Sequence, residues 1–298
     1  MKIFTLAVHE KLQPRSTNII YPQGNADFGV EQDFWEYLQR HRELVTNDPK
    51  RADWHYLPIF WTRWHLNHDY GKKGLDKLAV EFEKSVINPE KTFTICQYAR
   101  GPIIDIKNVL LFLSSRTSRS GRDVPLLRNS IRKLRWFRPS KRYIASFIGR
   151  IETHPIRSEM INRLEGVEDV LIENGDVGLD IFRNTVEQSF VSLCPRGIGG
   201  NSFRFYESME LGAVPCLISD IDVRPFKNIV DWNKCSLYVK EPKNLLAVIR
   251  KHDTETLLAM GRNAQQIYRT KLRYSKWCEC LLKELALISS RTSERKVQ

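Results

Sequence analysis

The sequence lacks the long apolar segments that mark membrane-spanning and secreted chains. No uninterrupted apolar run approaches the ~20 residues that cross a bilayer. The short apolar run at residues 3–8 is followed at once by His9, Glu10 and Lys11, so it is too short for a secretory signal. It is expected to form a first buried strand instead. We therefore expect a cytoplasmic protein without stable membrane insertion.

Paired cysteines are also missing. None of the six cysteines forms a Cys-x-x-Cys pair, and their spacing matches no zinc pattern. Cys194 and Cys216 lie within apolar runs, which is typical of buried thiols. This usage fits a reducing compartment best.

Acidic residues are scarce relative to basic ones. The chain has 35 Asp and Glu against 47 Lys and Arg, a formal net charge of +12. Such an excess favours an anionic partner: nucleic acid, an anionic membrane or a phosphorylated small molecule. It is concentrated between Arg116 and Arg142, where ten basic residues accompany one acid, Asp123.

Strand-like and helical patterns alternate along the 298 residues, which suits one large domain or two ordinary ones. The alternation predicts βαβ units, an α/β class and parallel sheets. The basic, Ser-rich stretch at 114–140 interrupts it. We therefore predict two domains facing a cleft, at residues 1–138 and 139–298, with closing helices at the carboxyl end of the second.

One stretch is built unlike its surroundings: "FVSLCPRGIGGNSFRFYESMELGAVPCLISD", residues 190–220. A strand leads into a glycine turn and then a helix that Asn201 or Ser202 can cap. Ligands of open α/β sheets bind beyond the carboxyl ends of strands, and helix N-termini attract anions. Arg196 and Arg204 flank the turn, which suits a diphosphate, and Glu207 could accept hydrogen bonds from a ribose.

A plainer interpretation of the same stretch stays open. The turn can be only a tight connection, with Arg204 and Glu207 as an ordinary i,i+3 ion pair. The chain has no Gly-Lys-Ser/Thr and no Gly-x-Gly-x-x-Gly here. P-loop hydrolases and dinucleotide enzymes are therefore disfavoured.

The same residues resemble the signature of exostosin-type glycosyltransferases. The resemblance rests on Cys-Pro-Arg-Gly at 194–197, Ser-x-Arg-x-x-Glu at 202–207, and then Gly212 and Val214-Pro215. Weaker matches run in the family's order: "DPKRADWHYLPIF", "GRDVPLL", "RYIASFIGRIETHPIR" and "RPFKNIVDW". Together they span roughly residues 45 to 235.

This resemblance implies a GT-B fold, with two Rossmann-like parallel-sheet domains and a nucleotide-sugar held by the C-terminal one. It implies an inverting transfer from a UDP-sugar, of the UDP-xylose, UDP-galactose or UDP-glucuronate class, to a glycan hydroxyl. No cofactor or obligatory metal is implied. We expect a member without a membrane anchor, as in bacteria or large viruses. The expected donor-binding residues are Arg142, Arg150, Arg196, Gly197, Asn201, Ser202, Phe203, Arg204 and Glu207.

The acceptor side is less defined, because "ICQYARGP" stands where the family often has a His-Asp pair. An inverting transfer needs a base for the acceptor hydroxyl. Asp69 is the first candidate, in an expected loop with His65 and His68 as acceptor-side residues, and Glu31 is the second. His9 and Asp27 also follow the first strand.

Two other functions stay open. The basic segment 116–142 could bind nucleic acid, although it carries no known recognition motif. Alternatively, the chain could bind a sugar nucleotide without catalysis. A metal site at His65, His68 and Asp69 is conceivable, but His-x-x-His without further ligands is a weak signal.

Overall fold

A computed structural model describes residues 1–15, 29–128, 130–133 and 139–297, with side chains up to residue 291. It divides into two compact units, Met1–Arg128 with Tyr274–Gln298 (unit 1) and Asn129–Arg273 (unit 2). Each unit contains a five-stranded parallel sheet. The predicted α/β class with two Rossmann-like sheets is confirmed.

Unit 1 has its strands in simple sequence order, β1-β2-β3-β4-β5. The strands are β1 (Ile3–Thr5), β2 (Trp54–Tyr56), β3 (Thr92–Cys96), β4 (Leu110–Leu113) and β5 (Arg122–Asp123). Its helices are α1 (Val30–Arg40), α2 (Trp61–Asn67), α3 (Leu75–Ser85) and, from the end of the chain, α9 (Lys276–Val297). Every residue of β2 and β3 is buried, as expected of parallel strands covered on both faces.

Helix α9 corrects the predicted domain boundaries. It was expected to close the second domain, but it belongs to unit 1. The Trp277 ring lies 6.0 Å from that of Phe34 on α1, and Trp54 donates a hydrogen bond to Ser289 Oγ at 2.9 Å. Burial of Trp277, which has no exposed surface, explains the placement, since its apolar partners lie in unit 1. The other division falls after residue 128 rather than 138.

Unit 2 has the strand order β10-β9-β8-β6-β7. Its strands are β6 (Tyr143–Gly149), β7 (Val170–Asn174), β8 (Ser189–Pro195), β9 (Val214–Ile218) and β10 (Leu237–Val239). Its helices are α4 (Pro155–Leu164), α5 (Leu179–Glu187), α6 (Phe203–Leu211), α7 (Leu245–Arg250) and α8 (Thr254–Ile267). The order in which strands are added to the sheet reverses between β6 and β8, because β7 lies on one side of β6 while β8, β9 and β10 lie on the other. Ligands of such sheets bind at this reversal, beyond the carboxyl ends of the two strands.

Helices cover both faces of the unit 2 sheet. On one face Met160 of α4, Ile249 of α7 and Met260 of α8 pack with the strand residues Phe147 and Leu193. On the other face Ile148 packs with residues of α5 and α6, including Phe182 and Leu211. The two layers of helices therefore enclose β6 and β8, including the reversal point between them.

Two further observations concern the whole described chain. Among the described helices, none is both long and apolar enough to cross a membrane. All six cysteines are buried free thiols, as expected for Cys194 and Cys216.

Gly261 on α8 tests the packing of unit 2. A Cβ atom there would lie 2.5 Å from the carbonyl oxygen of Gly212, which ends α6. Gly-to-Ala changes inside a helix normally stabilise by up to ~1 kcal/mol. We expect Gly261→Ala instead to lower the free energy of unfolding by roughly 1–3 kcal/mol, because the backbone must shift. Urea unfolding measures this, with exposed Gln266→Ala on the same helix as the control. A stabilised Gly261→Ala variant would contradict the packing.

Candidate functional site

The glycine turn lies at the reversal point of the unit 2 sheet. Gly149 is the last residue of β6 and Pro195 the last of β8, so Arg196 and Gly197 begin the turn at the sheet's carboxyl edge. The backbone N–H of Arg196 donates to the carbonyl oxygen of Ile218 at 2.9 Å. The sequence therefore placed the turn at the correct edge, and the strand order adds that it lies at the reversal.

Arg204 has its guanidinium directly against this edge. The group lies over the rings of Phe147 and Phe182, at 5.1 and 5.5 Å from their centroids. A Cβ atom at Gly149 would lie 2.6 Å from Nη2, so only glycine leaves room for the arginine. Burial lowers the pKa of Arg204 although Cys194 and Glu207 act in the opposite direction.

The charge of Arg204 has no counter-charge in direct contact among the described residues. Its Nε is buried without a hydrogen-bond partner, and no carboxylate of the described residues lies within ion-pair distance. The simple i,i+3 ion pair with Glu207 is therefore not formed. A partly buried cation without a counter-ion is costly, and a bound anion would remove that cost.

A second arginine, Arg157, joins the two strand ends. Its guanidinium donates to the carbonyl oxygens of Arg150 at 2.7 Å, Arg196 at 3.0 Å and Pro195 at 3.3 Å. Burial and the nearby charge of Arg204 lower the pKa of Arg157 to about 10. Sequence reasoning missed this residue, although it is the arginine of "HPIR". Its position in the first turn of α4, just after β6, was the available signal.

Arg196 is held by Asp220, at the end of the following strand. The two side chains form an ion pair, and Nε of Arg196 stays buried without a partner. Burial tends to raise the pKa of Asp220, but its hydrogen bond with Arg196 lowers it overall. Asp220 and Asp222 have the Asp-x-Asp spacing of some metal sites, yet Asp222 pairs with Arg224 and Lys227. An arginine therefore contacts each of the two carboxylates.

The start of α6 completes this edge. Ser202 occupies the N-cap position, but its Oγ makes no capping bond and is buried without a partner. Asn201 is buried and Phe203 is partly exposed. Glu207, one turn into the helix, is also partly exposed. The predicted cap is therefore present by position only, and its hydroxyl has an unfilled hydrogen-bonding capacity.

Arg142 and Arg150 lie at opposite ends of strand β6. Arg150 directly follows β6 at the carboxyl edge and is exposed. Arg142 precedes β6, about 20 Å away by strand length, and stacks on Tyr143 at 5.4 Å. The expected donor contact of Arg142 is therefore contradicted, because a seven-residue strand separates it from the turn.

Comparison with known proteins bears on this part of the chain. Residues 124–251 match the family model of the Exostosin GT47 domain. The matched range contains the glycine turn, Arg157, Arg196 and Arg204.

Several curated proteins are similar over part of the chain. Exostosin-1 of Drosophila melanogaster is 26% identical over 157 residues, 44% of this chain and 21% of the relative. A probable glucuronoxylan glucuronosyltransferase of Arabidopsis thaliana is 34% identical over 97 residues, 32% of this chain and 21% of the relative. Thus the chain spans about a fifth of these relatives' length. Among solved structures, TarM aligns at 10% identity and a TM-score of 0.37, over 71% of this chain and 57% of TarM.

Unit 1 contains the residues predicted for the acceptor side, and Glu31 is the most enclosed carboxylate of them. It accepts hydrogen bonds from Thr62 N and Oγ1, at 3.1 and 2.7 Å, and from Gln97 N at 2.8 Å. Burial raises its pKa to about 7, although these bonds act in the opposite direction. Through these hydrogen bonds Glu31 links the segments that follow β2 and β3, and it is only 2% exposed.

Asp33, two residues further on α1, is a carboxylate that sequence reasoning missed. It is partly exposed and forms no hydrogen bond or ion pair through its side chain with the described residues. Burial and the nearby Glu36 raise its pKa to about 7, against the opposite influence of Arg63 and Arg40. Such a group accepts a proton near neutral pH. The residue types alone carry no signal for it.

The predicted loop with Asp69 begins as a helix. Asp69 itself is exposed after α2, has a φ of 54° and lies 3.9 Å from Lys73. His65 lies within α2 and is completely buried, which lowers its pKa to about 4. The prediction that His65 lies in a loop is therefore wrong, since it belongs to α2 and its ring packs against Trp61 and Tyr98. His68 is partly exposed, and Asp27 lies outside the described residues.

Much of the basic segment is engaged within the protein. Arg116 pairs with Asp123, Arg122 with Glu284 and Lys133 with Asp180. Residues 129 and 134–138 of this segment lie outside the described residues. Within the described part of the chain, no group of three His, Cys, Asp or Glu residues has the geometry of a metal site.

The pKa of Glu31 predicts a pH dependence of stability. A carboxyl with a folded pKa of about 7 and an ordinary value of 4.5 holds its proton more tightly when folded. The protonated carboxyl therefore contributes about 3 kcal/mol to the free energy of unfolding. This contribution is fully present below pH 4.5 and is lost as the pH rises through 7. We expect Glu31→Gln to flatten the fall in unfolding free energy between pH 5 and 7.5, measured with urea. Exposed Glu83→Gln on α3 should keep the wild-type slope, and an equal slope in both variants would contradict this assignment.

Proposed function

We propose that the protein is an inverting glycosyltransferase that uses a UDP-sugar, of the UDP-xylose, UDP-galactose or UDP-glucuronate class, and a glycan acceptor. One observation carries the proposal: the guanidinium of Arg204, without a counter-ion among the described residues, at the reversal point of a parallel sheet. The match of residues 124–251 to the Exostosin GT47 domain supports the same function.

The diphosphate of the donor would lie between the glycine turn and the start of α6. There Arg204 and Arg196 would contact its oxygens, with the first N–H groups of α6 and the hydroxyl of Ser202. Gly197, Asn201 and Phe203 would shape the same edge, and Arg150 would reach it from β6. Glu207, one turn along α6, would accept hydrogen bonds from the ribose hydroxyls.

These contacts would serve the reaction as well as binding. The acceptor oxygen attacks the anomeric carbon as the bond from that carbon to the diphosphate breaks, and the diphosphate departs with the electron pair. Positive charge already held in place stabilises this negative charge without reorganisation. We propose that the arginines take the role that a metal ion has in other transferases.

Arg204→Ala tests the donor site. Charge-assisted bonds are worth roughly 1.5–3 kcal/mol, so we expect UDP to bind at least about tenfold more weakly. Isothermal titration calorimetry measures the affinity, and thermal unfolding checks the fold. Arg142→Ala, at the other edge of the same sheet, is the matched control and should bind UDP normally. Unchanged affinity in a folded Arg204→Ala variant would reject the site, and turnover of a UDP-sugar panel separates an enzyme from a non-catalytic binder.

The base that receives the acceptor proton has two accessible candidates. We propose Asp69, with Asp33 as the alternative suggested by its pKa of about 7. Glu31 is a weaker candidate, because three donors occupy its buried carboxylate.

Asn replacements decide between these carboxylates. Loss of a general base lowers kcat by ~10²–10⁴-fold. We expect this loss for Asp69→Asn, with unchanged UDP affinity and little effect of Asp33→Asn. The opposite result would assign the role to Asp33, and its loss should also remove a limb near pH 7 from the pH-rate profile. Near-normal kcat in both variants would exclude both residues.

A further inference from the structure

Unit 1 contains two adjoining pockets at the carboxyl edge of its sheet. The larger has a volume of about 1060 Å³ and is walled by residues after β1 and β2 and on the first turns of α1, including Gln13, Gln32, Trp35, Phe60 and Asn67. The smaller, of about 510 Å³, includes His9, Trp64 and Asp76. Lys11 and His68 line both. These paired pockets therefore share a wall formed by Lys11 and His68.

The larger pocket presents a supported aromatic ring. Trp35 is partly exposed, and its ring lies edge-on to that of Phe60, 6.3 Å away at 80°. Arg63, only 6% exposed, lies 5.6 Å from the Phe60 centroid. Its guanidinium donates to the side chain of Gln32 and to the carbonyl of Pro14. These contacts hold the wall in place before any ligand binds, which lowers the entropic cost of binding.

His68, in the shared wall, has a defined hydrogen-bonding role. Its ring stacks on Trp64 at 3.8 Å with an interplanar angle of 11°, and Nδ1 lies 2.7 Å from the Trp64 carbonyl oxygen. A carbonyl oxygen only accepts, so Nδ1 must carry a proton. In the neutral ring Nε2 is then an acceptor, suited to a ligand hydroxyl.

We propose that the paired pockets bind an oligosaccharide, with one sugar stacked on Trp35, the next in the smaller pocket, and a hydroxyl between them bonded to Nε2 of His68. Flat aromatic faces pack against the C–H surface of a pyranose, and surrounding amides and imidazole match its hydroxyls. The larger volume is at the top of the ~300–1,000 Å³ range of small-molecule sites, so it accepts a whole ring and its substituents.

Two neighbouring pockets of mixed charge suit a chain of sugars better than a nucleotide. A nucleotide needs concentrated positive charge, but Arg63 is already engaged below the wall and the rim mixes Glu10 with Lys11 and Arg15. A chain of sugars needs repeated shallow contacts, which the two neighbouring pockets provide. Identification of this chain as the acceptor rests on the proposed transferase function, whereas the binding site itself does not.

Binding of defined oligosaccharides tests the site directly. The probes are cellopentaose, chitopentaose, xylopentaose and tetragalacturonic acid, with their monosaccharides, titrated by calorimetry with and without UDP. We expect at least one oligosaccharide to bind, at least about tenfold more tightly than its monosaccharide, because a single sugar fills one pocket only. Saturating UDP should not displace it. No binding by any probe at millimolar concentration, or displacement by UDP, would overturn the proposal.

Three variants locate the site. Trp35→Ala should weaken oligosaccharide binding about tenfold, Trp35→Phe should retain most of it, and His68→Gln should weaken it several-fold. His41→Gln is the matched control, because His41 makes the same bond to the carbonyl four residues earlier, at 2.8 Å to Tyr37, outside the pockets. It should bind normally.

The two proposals fail separately. Oligosaccharide binding that is unaffected in Trp35→Ala and His68→Gln places the ligand elsewhere and rejects the paired pockets. Failure to bind UDP or to turn over any UDP-sugar, with oligosaccharide binding intact and sensitive to Trp35, rejects the transferase function and leaves the saccharide site.

Discussion

The contacts of Arg157 set the geometry on which the unit 2 site depends. One buried guanidinium joins the carbonyl oxygens of Arg150, Pro195 and Arg196, and so ties the ends of two neighbouring strands to each other. Carbonyl partners satisfy its hydrogen bonds without neutralising its charge. Its positive charge therefore remains at the edge where the glycine turn begins, beside Arg204.

Two arginines at one edge, with no carboxylate of the described residues between them, are unfavourable for the unliganded fold. Burial and, after it, the nearby charge of Arg204 lower the pKa of Arg157 to about 10. Proteins tolerate such strain where binding relieves it. By contrast Arg196 is paired with Asp220, whereas Arg157 and Arg204 form no ion pair with the described residues.

In unit 1, helix α1 separates a structural carboxylate from an available one. Glu31 and Asp33 are two residues apart and so point to different sides of the helix. Both have a pKa raised to about 7. Glu31 accepts hydrogen bonds from the backbone N–H groups of Thr62 and Gln97, which follow β2 and β3. Asp33 accepts none through its side chain in the described part of the chain. The two carboxyls therefore have similar pKa values, but only that of Asp33 is open to a further hydrogen-bonding partner among the described residues.

The sequence by itself determined the local features: alternating strands and helices, the glycine turn after β8, and the arginines around it. These follow from apolar periodicity and turn chemistry, which act over a few residues. Only the tertiary structure decided that α9 joins unit 1, that Arg142 lies a strand's length from the turn, and that His65 is enclosed while Asp33 is not. Such outcomes depend on which surfaces pack together and which donors reach a carboxylate. Those partners are often separated by dozens of residues, from Glu31 to Gln97 and from Phe34 to Trp277.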